Sequence, residues 1–76
     1  MSKASVYFTL EGAGEKRDVR KIKRDLDSLK GVESVAVSGN QVTVDYDTTG
    51  VDRDRIKEKL ENLGYAVMSV RTENHG

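Results

Sequence analysis

The stretch Val35-Ala36-Val37-Ser38-Gly39-Asn40-Gln41-Val42-Thr43-Val44-Asp45-Tyr46 decides the fold. Two runs of alternating valines flank a polar segment, and the second run interleaves them with Thr43 and Asp45. Alternation of this kind marks half-buried strands, and a short Gly-Asn connection between two such runs marks a hairpin. A two-residue turn at Gly39-Asn40 pairs Val37 with Val42 and Val35 with Val44. Both pairs then lie on one apolar face, whereas a slip of one residue would turn a whole strand's valines toward water. Tyr46 extends the same buried face.

Upstream of the hairpin, Val19, Ile22, Leu26 and Leu29 recur at helical spacing with charged residues between them, and Gly31 is placed to cap that helix. Earlier still, Val6, Phe8 and Leu10 alternate with Ser5, Tyr7 and Thr9, which predicts a first strand over 5–10. Between them runs the charged loop Gly12-Ala13-Gly14-Glu15-Lys16-Arg17-Asp18, where Gly-Ala-Gly offers little side chain to bury and mobility is expected. Downstream, Asp52 caps a second helix, with Val51 spaced to staple onto Ile56, and with Ile56, Leu60 and Leu63 as its buried stripe. Gly64 closes it. Tyr65 to Val70 reads as a last strand, but its apolar residues occur at both parities and leave its inward face open. The polar residues 71–76 read as a frayed tail.

The order is strand, helix, strand, strand, helix, strand. It predicts an α+β ferredoxin-like βαββαβ sandwich, a four-stranded antiparallel sheet with two helices on one face and the other face wet. Seventy-six residues allow one domain, 1–76, with its core over about 5–70. Thirteen basic and thirteen acidic residues cancel, so no overall field gathers nucleic acid or an anionic membrane. No apolar run is long enough to span a bilayer and none follows Met1, so a cytoplasmic location is expected. The absence of cysteine excludes disulfides, thiolate catalysis and thiolate metal sites together. No set of nucleophile, base and oxyanion donors can be assembled, which argues against an enzyme.

The segments Tyr7-Phe8-Thr9-Leu10-Glu11-Gly12, Val19 to Leu29, Lys30 to Val37, Val42 to Asp47 and Leu63 to Val67, taken in order, resemble a heavy-metal-associated domain, as found in copper chaperones and metal-pumping ATPases. The most specific marks are the Gly-Val-x-x-Val-x-Val run from Gly31, the Val-x-Val-x-Tyr-Asp strand from Val42, and Gly64-Tyr65. In that family the first strand leads into Gly-Met-x-Cys-x-x-Cys, whose two thiolates hold a soft ion such as copper(I). Here Gly12 keeps its place, Ala13 stands at the methionine, and Glu15 and Asp18 stand at the two cysteines. Copper(I) is held by sulfur while carboxylates suit hard ions, so the resemblance implies a degenerate metal loop. It also places Tyr65 beside that loop, where hydrogen bonding to the loop and packing under it are the two roles open, and packing is the expected one.

The resemblance implies a partner as well. In such chaperones a basic first helix docks on an acidic protein surface, for example a related domain of a metal-transporting ATPase. Lys16, Arg17, Arg20, Lys23 and Arg24 are the corresponding candidates, with Lys21 in the same run, and the second helix is balanced in charge. A rival reading gives Glu15 and Asp18, with Glu11, a harder divalent ion held weakly, and no other cofactor is expected. An engineered version of the scaffold with its cysteines replaced is a further alternative. The plainest role for Glu15 and Asp18 is to complement the dipole at a helix start. An RNA-recognition domain shares the element order, but the wet face offers Tyr7 among Thr9, Thr43 and Asp45, so nucleic acid is not expected. Met68 reads as a core or edge residue and His75 has no partner in sequence.

Overall fold

A computed structural model describes residues 3–12 and 15–74. The elements are β1 (Lys3–Glu11), α1 (Lys16–Asp27), β2 (Val32–Ser38), β3 (Gln41–Asp47), α2 (Arg53–Asn62) and β4 (Ala66–Asn74). All strand pairs are antiparallel, in the order β2-β3-β1-β4. This is the ferredoxin-like arrangement the sequence predicts.

The hairpin has the predicted register, Val37 opposite Val42 and Val35 opposite Val44. Gly39 takes a positive φ of 58° while no non-glycine residue does, as in a turn with glycine at its first central position. The central strands β1 and β3 bring Ala4, Val6, Phe8 and Leu10 together with Val42, Val44 and Tyr46 on one face. Ile22 and Leu26 of α1, with Ile56 and Leu60 of α2, cover that face and are fully buried. Leu29, Val37, Val51 and Tyr65 close its margins.

Asp52 caps α2 as predicted, its Oδ1 accepting the Arg55 N–H at 2.8 Å. Gly64 ends that helix: its N–H donates to Glu61 O at 3.0 Å and the Tyr65 N–H to Leu60 O at 3.3 Å, the paired bonds of a Schellman motif.

Two expectations are corrected, and one point the sequence leaves open is settled. First, α1 is not capped by Gly31. It ends at Asp27 with Ser28 as the cap, and the Ser28 hydroxyl donates to Asp25 O at 2.6 Å. Gly31, at φ 97°, serves a tertiary contact instead, because an added Cβ would lie 2.8 Å from Gly50 C and 2.9 Å from Val51 N. Second, residues 71–74 are not a frayed tail. Arg71, Thr72, Glu73 and Asn74 pair with Tyr7, Val6, Ser5 and Ala4, which extends β4; β1 itself starts at Lys3, earlier than the expected Ser5, where Lys3 pairs with Asp47 of β3. His75 and Gly76 lie outside the described residues.

Third, the unresolved inward face of β4 has a structural cause. Its register with β1 shifts between Thr9 and Leu10, so Leu10 faces Val67 while Phe8 faces Val70 and Val6 faces Thr72. An extra residue in one strand moves the side chains beyond it to the other parity. Val67 and Val70 therefore point to the same side of the sheet despite opposite parity. Met68, 64% exposed, occupies the bulge on this edge strand.

Candidate metal loop and basic helix

The loop from Gly12 to Asp18 joins the centre of the sheet to α1. Ala13 and Gly14, and with them the expected mobility of the loop, lie outside the described residues. Gly12 is exposed. Glu15 is the N-cap of α1 in extended backbone, with φ −91° and ψ 158°. Three residues on, Asp18 reaches back so that its Oδ2 accepts the Glu15 N–H at 3.3 Å. This satisfies a backbone donor that the first helical turn leaves without a partner, and it places negative charge at the positive end of the helix.

The other oxygen of Asp18 is engaged too. The Tyr65 hydroxyl donates to Asp18 Oδ1 at 2.6 Å. Tyr65 stands just past α2, and the Schellman turn that ends the helix fixes its backbone against Leu60. The ring packs against the core as expected, but the hydroxyl does more than packing requires. It ties the start of α1 to the α2–β4 connection.

The electrostatics follow from this bond. The Tyr65 hydrogen bond above all holds the Asp18 carboxyl below its ordinary value; burial opposes it, and the Glu15 N–H and the charges of Arg17 and Lys21 add to the lowering. Burial first, and then the bond to Asp18, push the Tyr65 hydroxyl up to about 12. Both shifts favour the neutral phenol bonded to the ionised carboxylate. Glu15 pairs with a cation, its Oε2 lying 3.0 Å from Arg17 Nε.

Among the described residues no three His, Cys, Asp or Glu side chains gather where they could hold a metal ion. Glu11 therefore does not complete a set with Glu15 and Asp18. Among the described residues a soft ion finds no sulfur at the loop, since the sequence has no cysteine and Met68 sits at the β4 bulge. The donor set present at the loop does not fit copper(I).

The cations of α1 do come together. Lys16, Arg17, Arg20, Lys21, Lys23 and Arg24 are all exposed and line one shallow surface depression. Sequence reasoning on the partner surface left out the role of Lys21, whose Nζ donates to Leu63 O at 3.4 Å and lies 6.0 Å from the centre of the Tyr65 ring.

The open face of the sheet is self-satisfied by comparison. Tyr7, its central aromatic, carries the Arg71 guanidinium 4.7 Å from its ring centre, and its hydroxyl is 3.4 Å from Glu73 Oε2. Asp45 accepts from the hydroxyls of Ser5 and Ser34. No helix among the described residues is long and apolar enough to cross a membrane.

The model of the heavy-metal-associated domain matches residues 18–66, more than half of the chain. The chain belongs to the heavy-metal-associated domain family. The matched segment opens at Asp18, so residues 12–17 of the loop precede it. Solved structures of similar fold include the CopZ metallochaperone, at 27% identity and a TM-score of 0.80 over 84% of this chain and 98% of that one. The N-terminal domain of a potential copper-translocating P-type ATPase from Bacillus subtilis, in its Cu(I)-loaded state, is 25% identical, with a TM-score of 0.77 over 88% and 85%. Oxidized MerP from Ralstonia metallidurans CH34 shares the fold at 18% identity, with a TM-score of 0.77 over 88% and 99%. No curated protein sequence matches the chain at a significant level. A copper-chaperone-like, ferredoxin-like domain that lacks every cysteine is thus the setting for the functional reading.

Proposed function

We propose that this heavy-metal-associated domain works without a soft metal, as a non-enzymatic module that docks on an acidic protein surface through α1. The observation that carries the reading is the charge placement. Residues 16–24 hold six cations and one acid, while the rest of the chain holds seven cations against twelve acids. A chain of zero net charge thus presents one strongly basic helix; an exposed helix face needs polar residues, but not residues of one sign.

At the loop, Asp18 is spent on Tyr65 and on its own helix start, and Glu15 on Arg17. These side chains serve as structure where relatives with cysteine would hold a metal. The partner expected is another domain of the same family with an acidic face, such as one belonging to a metal-transporting ATPase. Charge complementarity then sets the encounter rate and the orientation of docking more than the final affinity.

The test uses an acidic metal-binding domain of a copper-transporting ATPase as probe, titrated into the isotopically labelled chain. Amide shifts confined to α1 and the start of the helix are expected, and they should fade as salt shortens the screening length from about 8 Å to about 3 Å between 0.15 and 1 M. Shifts centred on the open sheet face, or indifferent to salt, overturn the reading.

A further inference from the structure

The six cations of α1 fall into two stripes. Arg17, Lys21 and Arg24 recur at i, i+4 and i+7, and so do Lys16, Arg20 and Lys23, so each set lines one side of the helix. The structure treats the two stripes differently. Arg17 Nε lies 3.0 Å from Glu15 Oε2, Lys21 Nζ donates to Leu63 O, and Arg24 Nε lies 3.5 Å from Asp25 Oδ1. Among the described residues no ion pair or side-chain hydrogen bond holds Lys16, Arg20 or Lys23, and all three are exposed. The first stripe stays within the protein's own contacts. The second is uncommitted.

We infer that Lys16, Arg20 and Lys23 are the part of the basic helix that selects the partner, and that the partner presents a helix bearing carboxylates at i, i+4 and i+7. The inference deepens the docking reading and rests on it. A cation without a neighbouring carboxylate brings its full charge to an encounter, whereas the fields of Arg17 and Arg24 are offset by Glu15 and Asp25 beside them, and Lys21 is turned toward Leu63 O.

The stripe spans about 10 Å along α1, at about 1.5 Å of rise per residue, and a second helix laid against it repeats the same spacing. Asp27 follows Lys23 by one helical turn and ends the row with the opposite sign. A short row of carboxylates fits three cations followed by an acid. A long phosphate backbone does not, since it meets Asp27 after the third contact and finds no net positive charge beyond.

The test compares two triple variants of the full chain, Lys16→Gln/Arg20→Gln/Lys23→Gln and Arg17→Gln/Lys21→Gln/Arg24→Gln. Glutamine keeps helix propensity at these exposed sites, and an unchanged amide spectrum away from α1 checks that both variants fold. The probe is a synthetic alanine-based helical peptide with glutamates at i, i+4 and i+7, set beside a scrambled peptide of equal composition and a single-stranded RNA oligomer.

The first variant is expected to weaken peptide binding about tenfold, and the second to weaken it less, by about threefold, because it too lowers the positive charge of the docking helix. Equal weakening by both variants overturns the sorting of the stripes while the docking reading stands. Equal binding of the scrambled peptide overturns the spacing, and tighter binding of the RNA overturns the carboxylate partner. If the unaltered chain shows no shift with the peptide and none with the acidic ATPase domain, the docking reading fails and this inference with it.

Discussion

Replacing Gly31 by alanine tests how α1 is anchored. Gly31 has φ 97°, a region that costs an L-residue about 1–2 kcal/mol. The new Cβ would also meet Gly50 C at 2.8 Å, Val51 N at 2.9 Å and Val51 Cγ1 at 3.0 Å. Two of these three are backbone atoms of the β3–α2 connection, and the Asp47 N–H bonded to Gly31 O at 2.8 Å holds the two loops together. Forcing them apart should add about 1–3 kcal/mol, the usual cost of overpacking. Gly31→Ala is therefore expected to lose about 2–5 kcal/mol, a large share of the roughly 4–11 kcal/mol available to a domain of this length.

Gly39→Ala is the matched control. Gly39 also has a positive φ, 58°, but an added Cβ there meets nothing within 4 Å. It should lose only about 1–2 kcal/mol. Urea unfolding of both variants, with equal slopes, gives the difference directly. If the two lose the same within about 0.5 kcal/mol, close approach of the loops is not what demands glycine at 31.

Other perturbations act on the site and on the sheet edge. Tyr65→Phe should let the Asp18 carboxyl titrate closer to its ordinary value, read from its side-chain carbon shift against pH. A lowered folded value means that Asp18 stabilises the fold above its unfolded value and loses that contribution as pH falls through the folded one, so the variant should be less sensitive to acid. The raised Tyr65 hydroxyl works in the opposite range: its contribution is complete below 10.0 and is lost toward about 12. The variant's stability should accordingly be flatter in alkali, and an unchanged alkaline profile contradicts the assignment. Truncation after Val70 removes four residues paired with β1 and should cost about 2–4 kcal/mol, counted as a few net backbone hydrogen bonds. Unaltered stability would mean that residues 71–74 contribute no effective pairing.

The parts of the fold legible in the sequence are those set by local pattern. The valine spacing and the Gly-Asn turn specify the hairpin and its register, and Asp52 announces the start of α2, because each signal lies within a few residues of its effect. The misread parts depend on distant contacts. The bulge at Met68 reflects pairing with β1 some sixty residues away in sequence, and it alone reconciles Val67 with Val70. The end of α1 was hidden because Ser28 stops the helix locally while Gly31 answers to Gly50 across the fold. Polar residues 71–74 resemble a tail because an edge strand needs backbone pairing more than apolar side chains.

At the site, the resemblance located Glu15, Asp18 and Tyr65 and left a hydrogen bond from Tyr65 to the loop open, but it did not single out Asp18 as the acceptor. Forty-seven residues separate the partners of that bond, and only the packing of α1 beside α2 brings them within 2.6 Å. The partition of the basic helix into engaged and uncommitted stripes was likewise invisible. It depends on the position of Leu63 O relative to Lys21 and on the pairing of Glu15 with Arg17.

Titration with copper(I) against a competing chelator tests the central claim most directly. A loop without sulfur, with Asp18 already bonded to Tyr65, should leave the chelator's copper untouched and the amide shifts of residues 11–18 unmoved. Tight one-to-one transfer of copper(I) to the chain would contradict the account.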